Sequence, residues 1–132
     1  MISLDTNIII RFLVNDDKKQ AGRVRALFEK AEREGTSLLI TIPVLLETLW
    51  ILDSIYDYSR NEIINAIESL FSMTIIIFEK TDAVQEFIDT GRKLKLDLSD
   101  ILIGTAAKNA GCETTLTFDL KAAKTDLFEL LK

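Results

Sequence analysis

Short β-branched or apolar runs alternate along the chain with longer stretches in which apolar residues recur at helical spacing. That alternation predicts parallel strands joined by crossover helices. Strands are expected at residues 1–5, 37–41, 74–78, 114–117 and 127–130, and the third, Thr74-Ile75-Ile76-Ile77-Phe78, is nearly continuously apolar, as a strand covered on both faces should be. A short apolar helix is expected over 7–14. A second, over 17–33, carries Ala21, Val24, Leu27, Phe28 and Ala31 on one stripe and is closed by Gly35. Pro43 opens a helix over 43–56, since proline is tolerated in a first turn. Ser59 with Glu62 three residues later reads as a capping box for a helix carrying Ile63, Ile64, Ile67, Leu70 and Phe71. Two more helices are expected: 82–94, on Val84, Phe87, Ile88 and Gly91, and 98–111, with Ile101, Leu102, Ala106 and Ala110 available for packing. No internal repeat, low-complexity segment or long linker interrupts the pattern, so the expected architecture is one α/β domain over residues 1–132, a parallel sheet sandwiched by helices.

The composition supports a globular chain and narrows its chemistry. With 132 residues, 48% hydrophobic and 28% charged, it is large enough to bury about two thirds of its unfolded surface. There is no histidine and one cysteine, Cys112. A Ser-His-Asp or Cys-His nucleophile, a histidine general acid and a histidine-ligated metal site are therefore excluded, as are zinc knuckles and internal disulfides. Carboxylates remain, and clustered carboxylates favour hard cations such as Mg2+ or Mn2+. Lys and Arg number 16 against 21 Asp and Glu, a formal charge of −5, which argues against a generic nucleic-acid coat but says nothing of a local site. Met1 runs straight into strand-like Ile2-Ser3-Leu4 with no basic leader, and no apolar run approaches the roughly 18 residues needed to span a bilayer. The expectation is a soluble, cytoplasmic protein.

Four acids stand where strands end and helices begin, the places where ligands gather in open α/β sheets. Asp5 ends the first strand, Glu47 lies in the second turn after Pro43, Asp100 lies in the first turn of the last long helix, and Asp119 follows the fourth strand. Each also has a structural reading. Asp5 is placed to cap the following helix, and Asp119 to cap a turn into residues 120–123. Asp97 and Asp100 have the spacing of a reciprocal cap, in which Asp97 is the cap and Asp100 the acid aimed at the crevice. Glu47 shares a helical stripe with Val44 and Ile51, so a carboxylate on an inward-packing stripe would need a partner; the alternative is a surface Glu. Taken together, two carboxylates about 4 Å apart repel by about 4 kcal/mol at an effective dielectric of about 20, and a cluster of four is comfortable only around a divalent cation.

Leu4-Asp5-Thr6-Asn7-Ile8, Ile42-Pro43-Val44-Leu45-Leu46-Glu47, Leu98-Ser99-Asp100-Ile101-Leu102-Ile103 and Gly111-Cys112 leading to Thr115-Leu116-Thr117-Phe118-Asp119 occur in this order across essentially the whole chain. In these segments the sequence resembles the PIN-domain nucleases, most closely the VapC-type toxins of toxin–antitoxin pairs. The resemblance implies a three-layer α/β/α fold with a five-stranded parallel sheet and an Mg2+- or Mn2+-dependent endoribonuclease site. By that resemblance Asp5 and Asp100 are the main metal ligands, Glu47 completes the shell or orients the attacking water, and Asp119 holds a ligand water or a second metal. Thr6, Asn7 and Thr117 correspond to polar support for the acids. The implied reaction leaves a 5′-phosphate and a 3′-hydroxyl. Haloacid-dehalogenase phosphatases need a second Asp two positions after the first, where Asn7 stands, and response-regulator receivers need a phosphoacceptor Asp after the third strand, where Glu79-Lys80 follow.

An acidic site repels RNA unless basic residues guide the phosphates, and Arg11 and Lys121 lie nearest in sequence to the acids. No aromatic platform for stacking bases is evident from the sequence. The 43–56 helix is apolar on nearly every face, with Leu45, Leu46, Leu49, Trp50, Leu52, Ile55 and Tyr56, so it is either deeply buried or part of an interface. The resemblance implies a homodimer and a cognate antitoxin docking there; the alternative is that Trp50 is ordinary core. Two functions are thus expected to compete: a metal-dependent endoribonuclease of toxin type, and a non-catalytic α/β interaction module that keeps the acidic pocket to bind a cation.

Overall fold

A computed structural model describes all residues from Met1 to Lys132, which divide into two compact units, Met1–Glu79 and Lys80–Lys132. The first unit runs β1 (Ile2–Ser3), α1 (Thr6–Leu13), α2 (Lys18–Glu34), β2 (Leu38–Ile40), α3 (Ile42–Ser54), α4 (Arg60–Phe71) and β3 (Ile76–Phe78). Its strands form a parallel ladder in the order β1-β2-β3, with Ile2 opposite Leu38 and Leu38 opposite Ile76. Leu38 and Ile40 are fully buried, while Ile77 between Ile76 and Phe78 is exposed. β3 therefore alternates, contrary to the expectation of a strand covered on both faces.

Local chemistry sets the element ends in this unit. The Asp17 side chain accepts from Gln20 N–H to start α2, and Gly35 ends it at φ 68°, a left-handed conformation that favours glycine. The stripe expected on α2 is buried at Ala21, Val24, Phe28 and Ala31, with Phe28 stacked on Phe12 at 4.4 Å between ring centres. The Ser59–Glu62 capping box forms as expected. α3 ends at Ser54, two residues short of the expected boundary, because Tyr58 N–H bonds Leu52 O and Asp57 takes a positive φ of 55°. At its other end Thr41 supplies no side-chain cap; the Ile42 N–H donates instead to Glu79 Oε1 at 2.9 Å.

The second unit runs α5 (Thr81–Lys93), α6 (Leu98–Asn109), β4 (Thr115–Thr117), a 3₁₀ turn at Ala122–Lys124, and β5 (Phe128–Leu130). α5 packs on α6, burying Val84, Phe87, Ile88, Ile101 and Leu102. β4 and β5 pair in parallel, with Thr115 opposite Phe128. At Gly104 an added Cβ would stand 3.0 Å from Leu127 Cβ and 3.1 Å from Phe128 Cε2, so glycine here permits the close approach of α6 to β5. Ala110, expected to pack, is exposed, and Gly104 and Thr105 are buried in its stead.

All five expected strands are present, each parallel to its neighbours in its own ladder, and the class is α/β. The five do not make one hydrogen-bonded sheet: three pair in one ladder and two in another. Each strand is only two or three residues long, and β1 stops at Ser3 because Asp5 already serves as the N-cap of α1.

Candidate functional site

The candidate residues fall in both units. In the first, Asp5 is the N-cap of α1, and its Oδ1 accepts from Thr6 N–H at 2.8 Å. The structural reading of Asp5 as a cap is thus realised, with the side chain exposed. Thr6, next to it, is buried, and its hydroxyl has no hydrogen-bond partner. An unpaired buried hydroxyl carries a desolvation cost, and this one stands one residue from the proposed ligand. Asn7 is exposed in the first turn of α1.

Glu47 is exposed on α3. The face that α3 buries is Leu45, Thr48, Leu49 and Leu52, whereas Val44 and Ile51 are only half-buried. The argument that Glu47 sits on an inward-packing stripe is therefore overturned: its carboxylate is solvated and needs no partner to fold. Trp50 and Ile55, at 59% and 62% exposure, are not core.

Arg11 is committed within the first unit. Its Nε donates to Gln20 Oε1 at 2.6 Å, and Nη1 donates to Asp16 Oδ1 at 3.1 Å and to Tyr56 Oη at 3.2 Å. Tyr56 Oη donates in turn to Asp16 Oδ2 at 2.9 Å, closing a ring of contacts. Of the two basic candidates, Arg11 thus has its charge matched by Asp16.

The second unit holds the other acids. Asp97 is the N-cap of α6, accepting from Ser99 N–H at 3.1 Å, as expected. Asp100, one turn on, is half-buried. Burial, reinforced by the charges of Asp97 and Asp119, raises its pKa above the usual aspartate value. Asp119 follows β4, and its Oδ1 accepts from Lys121 N–H at 2.8 Å and Ala122 N–H at 3.3 Å, which caps the turn into Ala122–Lys124. Thr117 Oγ1 accepts from Asp119 N–H at 3.0 Å, so Thr117 supports this acid through its backbone. Lys121 and Lys124 are exposed.

Within this unit Asp100 feels the charges of Asp97 and Asp119. No group of three or more acidic or cysteine side chains lies close enough to hold a metal ion. The donor chemistry nevertheless fits a hard divalent cation. Every candidate ligand is a carboxylate oxygen, and a cation would relieve the repulsion between Asp100 and its neighbours. One residue escaped the sequence reading: Phe118, beside Asp119, is 79% exposed. A Phe between two polar residues at the end of a strand was the available sign.

A VapC ribonuclease of Aquifex aeolicus (strain VF5) is 23% identical over 121 residues, covering 92% of this chain and 89% of that protein. No solved structure matches. The profile of the PIN domain matches residues 2–127, a span that takes in Asp5, Glu47, Asp100 and Asp119. The chain belongs to the PIN domain family.

Proposed function

We propose that the protein is an endoribonuclease that depends on Mg2+ or Mn2+ and acts as the toxin of a toxin–antitoxin pair. The observation that carries this reading is the match to the PIN domain over residues 2–127. The name of the Aquifex aeolicus relative supports the same activity. Because the matched span crosses from one compact unit to the other, residues 1–132 are read as one functional domain.

Asp5 and Asp100 would hold the cation, with Glu47 completing the shell or orienting the attacking water, and Asp119 holding a ligand water or a second ion. A bound divalent cation supplies charge neutralisation at the phosphodiester and eases loss of a proton from water. The water oxygen bonds to phosphorus, the bond to the 3′ oxygen breaks, and that oxygen leaves protonated, giving a 5′-phosphate and a 3′-hydroxyl. Thr6 and Asn7 follow Asp5 in the first turn of α1, and Thr117 fixes the backbone of Asp119. Lys121, whose backbone is tied to the Asp119 carboxylate, offers its ammonium to an RNA phosphate. Exposed Trp50 on α3 and Ile55 just past its end suit a homodimer contact or a docking face for a cognate antitoxin. A toxin acting on cellular RNA would work in the cytoplasm, and no helix is long and apolar enough to cross a membrane.

The second reading is a non-catalytic interaction module with a cation-binding pocket; that no three acids are gathered closely enough to hold a metal favours its lack of catalysis and counts equally against its pocket. Both readings are tested by incubating purified protein with structured and single-stranded RNA and Mg2+ or Mn2+, beside Asp5→Asn and Asp100→Asn. The nuclease reading expects cleavage by the native protein alone. Cleavage that survives both substitutions, or a chelator, rejects the site; metal binding without cleavage across a broad RNA panel selects the second reading.

A further inference from the structure

We propose that Phe118 is a base-stacking platform that selects single-stranded RNA, seating an unpaired base beside the phosphate handled at Asp119; this rests on the ribonuclease reading. Phe118, at 79%, is the most exposed of the large apolar side chains, and Leu116 and Leu120 on either side are exposed at 60% and 68%. Leaving a phenylalanine in water forfeits the stabilisation that its burial would give. The exposed ring adjoins a proposed active-site acid.

The backbone around the ring is held in place. Asp119 N–H bonds the Thr117 hydroxyl, and the Asp119 carboxylate accepts from the N–H groups of Lys121 and Ala122. Thr125 Oγ1 closes the next turn on Ala122 O at 2.7 Å. The segment therefore presents in fixed order an aromatic ring, an acid and a lysine, with Lys124 one turn further on. Lys121 and Lys124 are exposed and enter no ion pair.

An aromatic face next to unpaired cations has the chemistry that single-stranded nucleic acid requires: lysines for the phosphates, and a ring on which any base can stack. Paired bases in an A-form duplex are already stacked and unavailable, so the platform discriminates by strandedness more than by sequence. A second copy of this chain, with its net charge of −5, is the competing occupant of the apolar surface.

The test is binding of a single-stranded RNA oligonucleotide carrying 2-aminopurine, whose fluorescence falls on stacking. It is measured in an Asp100→Asn background, which lessens repulsion of the RNA and, under the ribonuclease reading, prevents cleavage. Phe118→Ala is expected to weaken binding about tenfold or more and abolish the quench, and Phe118→Trp to restore both. Duplex RNA of the same sequence should be indifferent to either change. Circular dichroism checks that the variants fold. Unchanged affinity and quench in Phe118→Ala overturn the proposal, as does failure of the parent protein to bind single strands. So does a changed oligomeric state with unaltered RNA affinity, which would assign Phe118 to a contact between copies. Cleavage by the native protein is scored separately. If it cuts RNA and Phe118→Ala keeps the same KM, stacking alone falls; if it cuts none while the quench follows residue 118, stacking stands and the ribonuclease reading falls.

Discussion

The Thr117 hydroxyl oxygen accepts a hydrogen bond from the backbone N–H of Asp119 at 3.0 Å, bridging the last residue of β4 to the acid that follows it. Asp119 in turn spends Oδ1 on the N–H groups of Lys121 and Ala122. The carboxylate is thus oriented by three backbone contacts in series rather than left to rotate on a loop. Thr117 has no chemistry of its own in this arrangement and acts by positioning.

Thr117→Val keeps the shape and β-branching of the side chain and removes the acceptor. A neutral hydrogen bond is worth about 0.5–1.5 kcal/mol net, so RNA cleavage should fall about three- to tenfold, carried by kcat. Thr117→Ser, which keeps the oxygen, should recover most of the loss. Equal activity in Thr117→Val and wild type would remove Thr117 from the support of Asp119.

The ring formed by Arg11, Asp16 and Tyr56 joins α1 and the segment after it to the segment following α3. Tyr56→Phe removes an acceptor for the Arg11 guanidinium and a donor to Asp16 together. The expected result is a lower thermal midpoint with RNA affinity unchanged. Arg11→Ala should likewise lower the midpoint and leave the salt dependence of RNA binding as it was, whereas Lys121→Ala should shallow it. A shallower salt dependence in Arg11→Ala would return that residue to the RNA contacts.

How much of this was legible beforehand depends on whether a feature is local. The Ser59–Glu62 box, the Asp97 cap and the Gly35 stop are written in spacings of three residues or fewer, and all three form. The four acids likewise stand at the junctions read from periodicity. The cap of α3 was not legible, because it comes from Glu79, 37 residues away. Nor was the inward stripe of that helix: with apolar residues on nearly every face, periodicity could not choose between the Glu47 side and the Leu45, Thr48, Leu49 and Leu52 side. The need for Gly104 depends on the approach of Leu127 and Phe128, which α6 alone does not reveal.

Gly104→Ala puts a methyl group 3.0 to 3.2 Å from Leu127 and Phe128, inside ordinary van der Waals contact. Alanine gains helix propensity over glycine, about 1 kcal/mol, so the sign is decided by whether the β5 side can give way. The contact includes Leu127 Cβ, which is tied to the backbone rather than free at a side-chain end. Overpacking of this kind costs about 1–3 kcal/mol. We expect net destabilisation, read as a lower urea midpoint at unchanged m-value; a raised midpoint would show that β5 yields.

Glu62 gives the fold a pH dependence of definite sign. Its carboxylate accepts from Ser59 N–H at 2.9 Å, and the Ser59 hydroxyl adds to this first contact, so its pKa lies below the usual glutamate value. A carboxyl group whose folded pKa is depressed contributes stability that is fully present above its unfolded pKa and is lost as the pH falls through the folded one. Wild type should therefore lose stability relative to Glu62→Gln as the pH falls below the ordinary glutamate range, and the gap between them should be constant at neutral pH. Ser59→Ala removes only the hydroxyl and keeps the Ser59 N–H that is the larger contact on the carboxylate, so it should cost about 1 kcal/mol at neutral pH through the lost cap while leaving most of that difference in place. Unfolding midpoints of the three proteins across the acid range decide the matter: parallel curves for wild type and Glu62→Gln would mean that the capping box does not set the protonation of Glu62.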